Sequence, residues 1–302
     1  MAVTPPTSPI MTESGCRLLL GKPVAAAITE EVRAGVAAFI ARYDVVPALA
    51  VMTVGPTPAA ERYTETLRKQ SAAVGLAFER VALDPDADES TVCERIIDLN
   101  HTSNIAGILV QMPLPPHLPP TLVGATLDPF KDVDGITPVN AGRLSLGLPG
   151  LFPSTPLGGV ALLRHYDIPM AGMHAVVVGR SNVVGRPLAQ LLLREDATVT
   201  ITHSRTPDLA AQTRVADILA VAVGRVGFIT PEMVKPGAVV IDFGTTFTEA
   251  GLRGDVVPEV ASVASALTPV PGGTGPVTNA ILLRNTLRAA EEMMASRQRS
   301  GL

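Results

Sequence analysis

Residues 175–187 read Ala-Val-Val-Val-Gly-Arg-Ser-Asn-Val-Val-Gly-Arg-Pro. This stretch restricts the fold more than any other. Its β-branched start suits a strand covered on both faces by parallel neighbours. Pro187 suits a first helical turn, where its missing N–H costs nothing. Leu188, Leu191, Leu192 and Leu193 carry the helix onward. Gly179 and Gly185 let a phosphate approach the backbone, and a helix start beside them adds free N–H donors and partial positive charge. The spacing is not G-x-G-x-x-G, so the pattern alone also describes an ordinary tight turn. The strand before it and the helix after it favour a dinucleotide site containing Gly179, Arg180, Ser181 and Gly185.

A chain of 302 residues has room for two domains with cores of their own. Its net charge of -4 provides no basic field for nucleic acid. Hydrophobic content of 47% and mean hydropathy of +0.33 are high. The apolar runs are nevertheless short, and none approaches the ~20 residues of a membrane span. The excess fits buried parallel strands. Cys16 and Cys93 have neither metal-ligand nor disulfide-framework spacing, which fits a reducing, cytoplasmic setting. Met1 to Ser14 is rich in Pro and Thr without the pattern of a secretion signal, so residues 1–16 are expected to be a disordered extension.

Helical character at 23–43, 58–74 and 89–100 alternates with strand character at 48–54, 78–83 and 105–111. Further strands are expected at 175–178, 198–202, 218–223 and 238–242, with helices at 155–166 and 278–294. Alternation of this kind implies parallel sheets. The expected class is α/β, with two α/β domains and a cleft between them. Residues 17–150 form the first, completed by a terminal helix over 278–302, and residues 151–277 form a Rossmann-like nucleotide-binding domain.

Several segments follow the nucleotide turn in order: His203-Ser204-Arg205-Thr206, Ala222-Val223-Gly224-Arg225, Lys235-Pro236-Gly237 and Thr268-Pro269-Val270-Pro271-Gly272-Gly273-Thr274-Gly275-Pro276. Before it stand Gln111-Met112-Pro113-Leu114-Pro115 and Lys131-Asp132-Val133-Asp134-Gly135. Together they resemble the methylenetetrahydrofolate dehydrogenase/methenyltetrahydrofolate cyclohydrolase family from about Leu18 to the last helix. The resemblance implies a folate substrate, a nicotinamide cofactor, a homodimer and a place in one-carbon metabolism. It implies that Tyr63, Gln111 and Asp134 serve catalysis and substrate binding, with Pro271, Gly272 and Gly273 lying against the folate. Asp134 would accept hydrogen bonds from the pterin, whereas an isolated D-x-D-G otherwise reads as a turn or metal loop.

One departure matters most. In the family a lysine four residues after the tyrosine serves the hydrolytic step, and here that position is Leu67. Positions four apart share a helix face, so Tyr63 and Leu67 are expected to look into the cleft together. Lys69 is rotated from Leu67 by ~200° and should point away. Hydride transfer from a carbon flanked by two nitrogens asks mainly for alignment, whereas hydrolysis needs a group that takes a proton. The expectation is a dehydrogenase with weak or absent cyclohydrolase activity. The alternatives are a fully bifunctional enzyme and a non-catalytic folate- or nucleotide-binding paralogue. A shikimate-dehydrogenase-like reading would need a Lys–Asp dyad, and none can be placed.

Arg180, Ser204 and Arg205 lie where an adenosine ribose would sit, and no acidic residue ends the strand at 198–202. That favours NADP over NAD. Thr245 is expected to face the cofactor. No metal is expected.

Overall fold

The computed structural model describes residues 10–249 and 251–300. The first half contains β1 (Arg17–Leu18), α1 (Gly21–Tyr43), β2 (Ala48–Val54), α2 (Pro58–Val74), β3 (Ala77–Leu83), α3 (Glu89–His101), β4 (Ile105–Val110), α4 (Leu122–Thr126) and α5 (Pro138–Ser145). The second contains α6 (Ser154–His165), β5 (His174–Val178), α7 (Gly185–Leu193), β6 (Thr198–Thr202), α8 (Leu209–Thr213), β7 (Ile218–Val221), β8 (Val239–Asp242), β9 (Thr246–Thr248), β10 (Gly251–Arg253), β11 (Ala266–Leu267) and α9 (Thr274–Ser300). Among the described residues no helix is long and apolar enough to cross a membrane.

Two compact units result. Among the described residues, one holds residues 28–154 and 282–300, and the other holds residues 10–27 and 155–281. The first unit therefore begins at Ile28, not at residue 17. Parallel pairing of Arg17 with Ala266 and of Leu18 with Leu267 draws the earlier residues into the second unit's sheet. The expected disordered extension is corrected as well. Met11 bridges Arg17, Cys16 is fully buried, and its N–H donates to Thr12 Oγ1 at 3.0 Å. Residues 1–9 lie outside the described residues.

In the first unit, three parallel strands run in the order β3-β2-β4. Every residue of β2 and β4 is buried, as continuous apolar runs in a covered parallel sheet require. Helix α2 has explicit ends. Thr57 caps its start by accepting from Ala60 N at 3.2 Å, Pro58 occupies the first turn, and Gly75 closes it at φ +85°. Its buried residues are Thr64, Leu67, Ser71 and Val74, one stripe at spacings of three and four. From α9, buried Asn285 donates through Nδ2 to Val133 O at 2.8 Å and Phe152 O at 3.0 Å. That amide ties α9 to both ends of the segment carrying Asp134.

The second unit is a six-stranded sheet in the order β1-β11-β8-β7-β5-β6, with every pairing parallel. From β5 the chain steps to β6 on one side and then returns to β7 on the other. Open sheets bind ligands beyond the strand ends at such a reversal. The short β9–β10 ribbon is antiparallel.

Asn285→Ala should cost ~2–4 kcal/mol, since it strands two buried carbonyls. Thermal unfolding would read this as a clear fall in Tm, and an unchanged Tm would rule out the tie.

Candidate functional site

In the first unit the Asp-Val-Asp-Gly turn divides its two carboxylates. Asp132 is fully buried and accepts from Ile136 N at 3.0 Å, Thr137 N at 2.8 Å and Asn140 Nδ2 at 3.0 Å. It is consumed in holding the turn. Asp134 is half-buried. Burial first, and the Asp132 charge second, push its carboxyl up to about 7, while Ser154 draws it partly back. Gly135 has φ +61°, and a Cβ there would stand 2.7 Å from the Phe152 backbone, so the turn admits no side chain at this point.

Tyr63, on α2, is half-buried, and its hydroxyl is raised well above its ordinary value by burial and then by the Asp134 charge. It remains a protonated donor at neutral pH. Gln111 follows β4, and its backbone N–H extends the ladder to Met52 O at 2.9 Å. Its side-chain Nε2 donates to Thr64 Oγ1 at 2.6 Å. Leu67 has no exposed surface, so it does not look into an open cleft beside Tyr63 as expected but belongs wholly to the buried stripe. Lys69 is 70% exposed at its side chain, with Nζ 3.6 Å from Glu65. It is turned outward, as its rotation from Leu67 requires.

In the second unit a cavity of about 470 Å³ opens at the ends of β5, β6 and β7. Val178, Gly179 and Arg180 line it from β5, His203, Ser204 and Thr206 from β6, and Ala222, Val223 and Arg225 from β7, with Leu209 and Phe228 completing the wall. Gly179 has φ +122°, and a Cβ on it would lie 2.3 Å from Ala222 O. A Cβ on Gly185 would lie 2.2 Å from Gly179 O. These two glycines therefore let the strand end, its neighbour and the start of α7 meet. Ser181 Oγ accepts from Val184 N at 3.1 Å and Gly185 N at 3.3 Å, so it fastens the turn. Arg205 and Thr245 are not among the residues lining this cavity. Pro271, Gly272 and Gly273 form a loop whose Gly272 O accepts from Gly21 N at 2.8 Å.

Sequence reasoning missed two residues here. Arg225 holds its guanidinium 4.6 Å from the Phe228 ring centre and adds a second cation to a cavity whose described lining contains no carboxylate. Asp255 sets the loop that carries it, accepting from Val223 N at 2.7 Å, Gly224 N at 2.9 Å and Arg225 N at 2.8 Å. Only a loop placed beside it by folding reveals this role. Apolar walls, two guanidinium groups and Ser204 suit a ligand with an apolar ring and anionic oxygens. Among the described residues no cluster of His, Cys, Asp or Glu could hold a metal ion.

Residues 19–134 match the model of the tetrahydrofolate dehydrogenase/cyclohydrolase catalytic domain, and residues 153–294 match that of the family's NAD(P)-binding domain. The chain is 52% identical to the "Bifunctional protein FolD" of Roseiflexus sp. (strain RS-1), over 93% of this chain and 98% of the relative. It is similar to the crystal structure of the bifunctional FolD enzyme from Campylobacter jejuni, with TM-score 0.89, 40% identity, and 94% and 99% of the two chains covered. It is also similar to Trypanosoma brucei FolD complexed with NADP cofactor and inhibitor, with TM-score 0.87, 37% identity, and 92% and 98% covered.

The raised carboxyl of Asp134 makes stability depend on pH. Unfolded, the group ionises near 3.8, and folded it ionises near 7, so between these values only the folded chain holds the proton. Its contribution to stability is thus lost as pH rises through that window. Asp134→Asn should remove this dependence and leave a higher Tm than the parent at pH 8. Parallel Tm–pH curves for the two proteins would refute the assignment.

Proposed function

Since the chain belongs to the tetrahydrofolate dehydrogenase/cyclohydrolase family, we propose that it oxidises 5,10-methylenetetrahydrofolate to the 5,10-methenyl form with NADP and has lost most or all of the hydrolytic step to 10-formyltetrahydrofolate. The observation that carries the second half is Leu67, which places an alkyl group four residues after Tyr63 with no exposed surface. Lys69 is the nearest amine along α2, and it is turned outward to Glu65.

NADP, when bound, supplies the hydride acceptor. The chain's part in that step is alignment. The methylene carbon lies between two nitrogens whose lone pairs stabilise the cation left by hydride loss, so no strong base is required. In this reading Tyr63, Gln111 and Asp134, with Pro271, Gly272 and Gly273, hold the folate. Tyr63 offers an O–H donor. Asp134 in its carboxylate form accepts from a pterin N–H pair. Gly179, Ser181 and Gly185 form the phosphate turn, and Arg180, Ser204, Arg205 and Thr245 contact the rest of the cofactor. The two arginines in the cavity support NADP over NAD, as does the cofactor of the Trypanosoma brucei relative. Water attack on the methenyl carbon is different, because a proton must leave the water. Leucine accepts none, and the absence of a positioned base costs ~10²–10⁴ in rate. A homodimer in the cytoplasm belongs to the same reading.

Following NADPH and the methenyl product together tests it. NADPH should form while methenyltetrahydrofolate persists, and hydrolysis well above the spontaneous rate would overturn the single-activity reading. Folate binding with no NADPH formed would instead favour a non-catalytic paralogue. Leu67→Lys should raise hydrolysis by ~10²-fold. Arg180→Gln should lower kcat/KM for NADP by ~10–100-fold and leave that for NAD nearly unchanged.

A further inference from the structure

Gln111 is fixed at both ends. Its backbone is the last rung of the β4–β2 ladder, bonded to Met52 O at 2.9 Å. Its side-chain Nε2 donates to Thr64 Oγ1 at 2.6 Å and, more weakly, faces Ala60 O at 3.5 Å. Thr64 is buried, and its hydroxyl donates to Ala60 O at 2.9 Å. A threonine hydroxyl has one proton, and here the α2 backbone takes it. Toward Gln111, Oγ1 can therefore only accept, and only the amide nitrogen can face it. Reversing the amide would set Oε1 against two oxygen acceptors, so the network itself determines the orientation. Both Nε2 hydrogens are directed at α2. Among the described residues no donor reaches Oε1, and Gln111 is half-buried, so its carbonyl is the end left for a ligand.

The geometry points to Thr64 as a positioning residue that locks the Gln111 amide, so that the site presents a single fixed acceptor, Oε1, to an N–H donor of the reduced pterin. The inference rests on the folate reading above and deepens it. Gln111 then accepts and never donates: it can hold a ligand N–H or a bound water, but it can neither supply a hydrogen bond to a developing anion nor remove a proton. Thr64 and Leu67 lie three residues apart on one buried stripe. One of them fixes an acceptor, and the other offers no polar group.

Thr64→Val keeps the shape and removes the lock. KM for methylenetetrahydrofolate should rise ~5–10-fold, the equivalent of one fixed hydrogen bond, with kcat and the KM for NADP changed less than ~2-fold. Thr64→Ser should restore the parent value. In a Gln111→Ala background the same Thr64→Val change should have no further effect on folate affinity, measured by calorimetry with tetrahydrofolate so that turnover is not required. Equal effects of Thr64→Val in the two backgrounds, or an unchanged folate KM, would overturn the lock while leaving the dehydrogenase reading intact. A parent protein that neither oxidises nor binds folate would overturn both.

Discussion

The approach that shapes the second unit's cavity is between backbones. Gly179, directly after β5, has a carbonyl that leaves no room for a methyl on Gly185, and its own α-carbon lies against the carbonyl of Ala222. Three chain segments converge there: the end of one strand, the end of its neighbour and the first residue of a helix. Any side chain at either glycine would have to separate them. Because none does, the N–H groups at the start of α7 lie directly beyond the strand ends, and the cavity at the reversal of strand order inherits its position from that contact.

Aspartates then arrange the loops in relays. In the second unit, Asp242 at the end of β8 accepts from Gly244 N at 2.7 Å, Asp255 N at 3.1 Å and Val256 N at 3.0 Å. Asp255, placed in this way, holds three N–H groups of the loop after β7. The backbone of Arg225, one of two cations lining the cavity, is thus located by two successive carboxylates, while its guanidinium rests against the Phe228 ring. In the first unit Asp132 does the equivalent work, while Asp134 has only Ser154 to offset its burial. Burial dominates there, and two carboxylates two residues apart have opposite duties.

Much of this was legible in the sequence, for identifiable reasons. Helix α2 begins and ends where Thr57-Pro58 and Gly75 say it should, and β2 and β4 show themselves as uninterrupted apolar runs. The short strands did not. β1 and β11 have two residues each, too few for any periodicity, and exist only because a distant segment pairs with them. The same holds for the residues that serve the sites. Arg180 and Ser204 stand next to recognisable turns, whereas Arg225, Asp255 and Thr64 acquire their roles from neighbours supplied by folding. An aspartate thirty positions from the loop it organises carries no local signal.

Leu67 occupies a place from which water is excluded. A basic side chain introduced there would be stripped of most of its hydration, and an ammonium so treated sheds its proton more readily than one at the surface. The enclosure that now packs around an isobutyl group is therefore the kind of environment that turns an amine into a free base near neutrality. The medium that would tune an amine at this position is already built.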